Sequence, residues 1–97
     1  MRIASFNLES LDLPPKARVP LEARAEMLRP QLERLDADVL CLQEVNAQKI
    51  PGTGTRQLVA LDALLAGTRY ASYQRAVSTS GEAGGATDVH NLVTLSR

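Results

Sequence analysis

The sequence has few of the features that mark secreted or membrane-embedded proteins. Its single cysteine, Cys41, cannot form an internal disulfide, which excludes the cysteine framework of small secreted domains. The N-terminus lacks the apolar segment of a signal peptide, and no apolar run approaches the ~20 residues that cross a bilayer. We therefore expect a soluble, cytoplasmic protein with no membrane span.

Neither sign of charge is in excess. The chain has 11 basic and 11 acidic residues, so its formal net charge is zero. A protein that holds nucleic acid by bulk charge needs a basic surface, which this composition does not provide. An enzyme that contacts one phosphate at a time remains compatible with it. The length of 97 residues fits one domain or part of one.

Hydrophobic spacing predicts a strand, a helix and a second strand in the first half of the chain. The short apolar stretch 2–7 reads as a strand, and the proline-containing segment after it as a loop. Leucines and alanine at spacings of three and four predict a helix over 21–35, kinked or divided at Pro30. The continuous apolar run 39–43 predicts a buried strand.

The second half of the chain adds further elements of both kinds. We predict a loop, a helix, a strand, a glycine-rich loop and a last strand, at 46–55, 58–65, 70–77, 78–88 and 89–96. Gly67 is a plausible stop for the second helix. The chain is thus predicted to be of the α/β (α+β) class, with about four strands and two helices.

Polar residues stand at the ends of the first two predicted strands. If a helix joins these strands as a crossover, they run parallel and their carboxyl ends lie at one edge of the sheet. Asn7 and Glu44 then come close together. Carboxylate and amide oxygens suit Mg²⁺ or Mn²⁺, so the pair is a candidate metal site. Polar strand ends are also common without any metal, and that reading stays open.

Other residues of chemical interest have simpler interpretations. Cys41 lies between two leucines and is predicted to be buried and inert. His90 is predicted to be structural, since no partner for it is evident in the sequence, and a position facing the substrate phosphate is the alternative. Glu9 and Asp12 are predicted to be solvated loop residues. The glycines at 52–54 precede a helix but lack the lysine of a phosphate-binding P-loop, so an ordinary loop is expected.

Three segments carry a resemblance to a known family. The stretches "RIASFNLESL", "LRPQLERLDADVLCLQEV" and "HNLVTLSR" resemble the endonuclease/exonuclease/phosphatase superfamily, which has the deoxyribonuclease-I-like fold. The resemblance covers nearly the whole chain outside 45–57 and 78–87. It implies a four-layer α/β/β/α sandwich that hydrolyses phosphate esters with a divalent metal. It also implies that Glu44 binds the metal and that Asn7 lies near the metal and the scissile phosphate.

The chain departs from that family in length. The family domain is well over twice as long, and its downstream Asp-x-Asn element and terminal Asp-His pair do not occur here. Residues 1–97 are therefore expected to be the N-terminal portion of such a domain and inactive alone. The resemblance implies a phosphodiester substrate, which includes nucleic acid. The open sheet would be covered by the missing C-terminal half or by a partner.

Two other interpretations remain at this stage. The chain can be a catalytically inactive fragment that acts as a binding or interaction module, because an incomplete sandwich leaves a sheet face to be covered. It can also be an unrelated α/β domain whose strand ends match by chance.

Overall fold

Six strands, two α-helices and one 3₁₀ turn occur in the part of the chain that the computed structural model describes, which is residues 1–13, 19–52, 55–78 and 90–97. The elements in chain order are β1 (Ile3–Leu11), α1 (Leu21–Leu35), β2 (Val39–Val45), β3 (Gln48–Lys49), β4 (Arg56–Gln57), α2 (Val59–Leu65), a 3₁₀ turn (Arg69–Ser72), β5 (Gln74–Val77) and β6 (Asn91–Ser96). No helix within these ranges is long and apolar enough to cross a membrane.

The main sheet contains four strands in the order β1-β2-β6-β5. β1 and β2 are parallel, with Ile3 opposite Val39 and Asn7 opposite Gln43. β6 runs antiparallel to both β2 and β5. The predicted α/β class is therefore confirmed, with two helices and a four-stranded sheet whose first two strands are parallel. β3 and β4 form a separate two-stranded ribbon. β3 lies within the segment 46–55 that was predicted to be a loop, and β4 follows directly after that segment.

α1 is one helix that runs through Pro30, so of the two predicted alternatives, a kink or a division into two helices, the division is wrong. Proline removes one backbone hydrogen bond inside a helix. Leu28 and Leu32 on the two sides of Pro30 both pack on the core, and Pro30 itself is exposed. Tertiary packing of the apolar face holds the helix together across the missing bond.

The core lies on one face of the main sheet. Alternate residues of the strands point to this face, where they form one buried cluster with both helices. Its largest fully buried side chains are Tyr70, Leu8, Leu11, Leu32, Leu40, Leu42, Leu61, Leu64, Leu65, Leu95, Val45 and Val93. The intervening strand residues form what we call the open face, on which Ile3 is 66% and Leu92 58% exposed.

Cys41 lies on this open face and is half-buried. The prediction of a fully buried thiol is therefore wrong. It rested on the continuous apolar run of β2, which suggested burial on both faces. In the described structure the helices cover the opposite face, to which the neighbouring Leu40 and Leu42 point.

The strand predicted at 70–77 is instead a 3₁₀ turn followed by the shorter strand β5. Thr68 caps the turn, because its hydroxyl oxygen accepts a hydrogen bond from the Tyr70 amide at 3.2 Å. The Tyr70 hydroxyl donates to the Leu32 carbonyl at 2.7 Å and accepts from the Ala37 amide at 3.1 Å. Satisfying these buried groups places Tyr70 in the core beneath α1.

Other element ends differ by a few residues from the sequence expectation. β1 continues past Asn7 to Leu11, and β6 begins at Asn91. α2 ends at Leu65, and Gly67 follows with a φ of 80°, so the predicted stop is confirmed. Val89, residues 79–88 of the predicted glycine-rich loop and residues 14–18 of the first loop lie outside the described residues.

Two carboxylates give the fold a predictable acid sensitivity. The Arg2 backbone N–H donates to Asp38 at 2.7 Å and lowers the pKa of Asp38, and the Arg69 backbone N–H lowers the pKa of Glu33 in the same way. A lowered folded pKa stabilises the fold above the unfolded pKa of about 4, and the stabilisation is lost as the pH falls through the folded pKa. Urea unfolding should therefore show lower stability at pH 3 than at pH 6. The Asp38→Asn/Glu33→Gln double variant should show a smaller loss, and an equal loss would contradict the assignment.

The open face predicts self-association in water. Leu92 and Ile3 are both exposed on it, and apolar side chains on an uncovered sheet face favour contact with a second surface. Leu92→Ser should shift the protein towards monomer in sedimentation velocity at micromolar concentration. Met27→Ser is the matched control, because Met27 is 68% exposed but lies on α1. Equal behaviour of the two variants would show that the open face does not drive association.

Candidate functional site

Glu44 occupies a β-bulge near the end of β2. Leu42 pairs with Val93 and Val45 pairs with Asn91, so β2 has one residue more than β6 between these pairs. The backbone of Glu44 has a φ of 57°. Bulges bend a strand and change the direction of a side chain. The bulge at Glu44 interrupts the alternation of β2 side chains between the two faces of the sheet, and the Glu44 side chain is 35% exposed.

β1 also has a bulge, directly opposite Glu44. Asn7 pairs with Gln43 and Leu11 pairs with Val45, so residues 8–10 lie opposite Glu44 alone. Arg24 of α1 holds this segment, because its guanidinium donates to the carbonyls of Leu8 and Glu9. The helix thus supports a loop-like insertion at the carboxyl edge of β1, the edge where open α/β sheets bind ligands.

The structure brings Asn7 and Glu44 into direct contact, as their places at two parallel strand ends predicted. The Asn7 amide nitrogen donates to Glu44 Oε2 at 2.6 Å. The Asn7 side-chain oxygen accepts from the Glu9 backbone N–H at 2.8 Å. The second contact fixes the orientation of the amide. In this arrangement Asn7 presents a donor to the carboxylate and orients it.

Two residues that sequence reasoning did not place in the site also lie there. Ser10 Oγ is 3.4 Å from Glu44 Oε1 and 3.2 Å from His90 Nε2. His90 Nε2 is 3.5 Å from the same Glu44 oxygen. The prediction that His90 has only a structural role assumed no partner, and the structure supplies two. No local signal in the sequence marks this contact, since Ser10 and His90 are 80 positions apart.

A buried polar network holds the backbone at His90. The His90 N–H donates to the Asn46 side-chain oxygen at 2.8 Å. Asp12 accepts from the side-chain amides of Asn46 at 2.9 Å and Gln48 at 3.0 Å. Asp12 is only 6% exposed, so the prediction that it is solvated is wrong. Its partners are Gln48 of β3 and Asn46, which directly follows β2, and the sequence did not reveal either as a neighbour.

Unfavourable backbone conformations concentrate at this edge. Five non-glycine residues within the described ranges have a positive φ, and four of them are Glu9, Ser10, Glu44 and His90. Each such residue costs of order 1–3 kcal/mol, which the surrounding structure must offset. Strain of this kind clusters at ligand-binding and catalytic sites, where it holds side chains in required positions.

The donor set at this edge suits a hard or borderline divalent cation. Glu44 offers a carboxylate, His90 an imidazole nitrogen and Ser10 a hydroxyl oxygen. Among the described residues, no three histidine, cysteine, aspartate or glutamate side chains are grouped to hold a metal ion. One carboxylate is nevertheless typical for Mg²⁺, which keeps several waters and binds substrate phosphate at the other positions. Glu44 forms no ion pair with any lysine or arginine that the structure describes.

No protein-family model, curated protein or solved structure matches the chain.

Proposed function

We propose that the protein is the N-terminal portion of a divalent-metal-dependent phosphoesterase that hydrolyses phosphodiesters, with nucleic acid as the substrate class we favour. The observation that supports this most directly is the Asn7–Glu44 contact of 2.6 Å at the carboxyl edge of two parallel strands. It joins the two residues that the resemblance assigns to the metal and the scissile phosphate. The metal would be Mg²⁺ or Mn²⁺.

The residues present fit distinct roles in that reaction. Glu44 supplies the negative charge that holds the cation, and Asn7 orients this carboxylate through its amide nitrogen. Ser10 and His90 line the same opening. When bound, the cation offsets the charge that develops on the phosphoryl oxygens. The proposal assigns the general base, which must accept a proton from water, to the part of the domain outside these 97 residues.

Cleavage assays test this proposal. The intact enzyme should nick plasmid DNA, or hydrolyse bis(4-nitrophenyl) phosphate, with added Mg²⁺ or Mn²⁺. EDTA should abolish the activity, and restoring the metal should recover it. Undiminished hydrolysis in EDTA would exclude a metal-dependent phosphoesterase, and so would the absence of hydrolysis of every phosphodiester tried.

A second candidate function is a catalytically inactive binding or interaction module. The open face favours it, because Ile3 and Leu92 are exposed there and both helices pack on the opposite face of the sheet. Purification of the native protein discriminates the two. A stable hetero-complex without phosphodiesterase activity would support the module, and metal-dependent turnover by the purified protein would count against it.

A further inference from the structure

Three electron-rich atoms around the Glu44 carboxylate form a nearly equilateral triangle. Glu44 Oε1, Ser10 Oγ and His90 Nε2 are separated by 3.4, 3.2 and 3.5 Å. Strong hydrogen bonds are shorter, with O–H···O near 2.8 Å and N–H···O near 2.9 Å. The three separations are instead close to the spacing of ligands around a metal. Adjacent donor atoms about 2.1 Å from the ion lie about 3.0 Å from one another around an octahedral ion and about 3.4 Å around a tetrahedral one.

Hydrogen bonding satisfies this triangle when His90 carries its hydrogen on Nε2, but not in the other tautomer. The Ser10 hydroxyl has one hydrogen, so it donates either to Glu44 or to His90. In the histidine tautomer that carries hydrogen on Nδ1, the Nε2 lone pair and the Glu44 lone pairs then face each other at 3.5 Å. A cation between the three atoms removes this opposition. Glu44 is 35% and His90 57% exposed, so an ion can enter from solvent.

From this geometry we propose that Glu44 Oε1, His90 Nε2 and Ser10 Oγ together bind one divalent metal ion, with His90 as a direct ligand. The proposal rests on the proposed function, since it completes the same metal site. A histidine ligand also predicts which metal ions the site binds most tightly. Imidazole nitrogen binds borderline ions such as Zn²⁺ better than Mg²⁺, and affinity for mixed N/O sites rises from Mn²⁺ towards Zn²⁺. The site should therefore bind Mn²⁺ and Zn²⁺ more tightly than Mg²⁺.

The arrangement around His90 supports a ligand role. Its backbone has a φ of 56° and is held there by Asn46, which in turn is held by the buried Asp12. Metal ligands are commonly oriented by such supporting hydrogen bonds. A histidine that only covered Glu44 would not require a strained backbone anchored from a buried network.

Metal titration tests the proposal in the first instance. Mn²⁺ alone is titrated into the protein and free Mn²⁺ is measured by electron paramagnetic resonance. His90→Gln should weaken Mn²⁺ binding at least about tenfold, the lower range seen when even a supporting residue of a metal site is lost. It should reduce Mg²⁺ binding less, measured by competition. Glu26→Gln, at an exposed position of α1, is the control and should bind Mn²⁺ like the wild type.

A second measurement uses the wild type and needs no variant for its main result. Zn²⁺ alone, which is diamagnetic, is added while the imidazole ¹⁵N signals are recorded by NMR, and the His90→Gln spectrum identifies those of His90. Ligation should move the Nε2 signal far more than the Nδ1 signal. Unmoved imidazole signals while the metal binds in a Glu44-dependent manner would overturn the role of His90. Metal binding that is the same in wild type, His90→Gln and Glu44→Gln would instead show that Glu44 does not hold the metal. That result would contradict the proposed function as well.

Discussion

Under the proposed function, replacing Glu44 by glutamine should lower the metal-dependent kcat/KM of the intact protein by on the order of 10³-fold, equivalent to about 4 kcal/mol of transition-state stabilisation. Glutamine has nearly the same size and keeps an acceptor for Asn7, but it removes the charge that would hold the cation. The loss should appear at saturating Mg²⁺ as well as in the metal titration. Steady-state hydrolysis of bis(4-nitrophenyl) phosphate over a range of Mg²⁺ and Mn²⁺ concentrations measures both.

The Glu26→Gln variant makes the same chemical change on the exposed surface of α1 and should leave kcat/KM unchanged. Circular dichroism and thermal unfolding of the Glu44→Gln protein establish that it is folded. If the folded variant turns over substrate at the wild-type rate, Glu44 is not part of a catalytic metal site.

Asp12→Ala should lower the free energy of unfolding by about 3 kcal/mol, because it leaves buried hydrogen-bond donors without a partner. Asp12 is 6% exposed and accepts from the side-chain amides of Asn46 and Gln48 and from the Leu13 backbone N–H. Asn46 also holds the His90 backbone, so the loss should extend to the site. Urea unfolding measures the stability, and Mn²⁺ titration measures the effect on the site.

Asp62→Ala is the matched control for this substitution. Asp62 lies on α2, its side chain is 58% exposed, and it pairs with Arg75 at 2.6 Å. Surface ion pairs contribute little, so the cost should stay below about 1 kcal/mol, with Mn²⁺ binding unchanged. Similar losses for the two variants would mean that the Asp12 network contributes no more than a surface charge.

Local sequence patterns were sufficient for the main elements of the fold. The period of three and four in 21–35 identified α1, because a helix buries one face at its own period. The continuous apolar run 39–43 identified β2, because its length suits a buried strand. The order strand, helix, strand then predicted that β1 and β2 are parallel. This parallel arrangement predicted that Asn7 and Glu44 lie close together, and the structure shows them in contact.

The failures arose where neighbours are distant in sequence. The stretch 70–77 was predicted to be a strand, but the Tyr70 hydroxyl hydrogen-bonds in the core to the backbone of α1, 38 positions away. Cys41 was predicted to be buried because an apolar run does not show which faces of a strand are covered. Asp12 was predicted to be solvated because its amide partners lie 34 and 36 residues further along the chain.

Local patterns were therefore enough for the class of fold, the two parallel strands and the pair at their carboxyl ends, since each depends on short stretches and on the direction of the chain. The rest of the site depends on contacts between distant parts of the chain. The bulge at Glu44 exists because β2 carries one residue more than β6 between two paired positions, which no local pattern reveals. Ser10 and His90 meet across 80 residues because the sheet places β6 beside β2 and the Asp12 network holds the start of β6 in place.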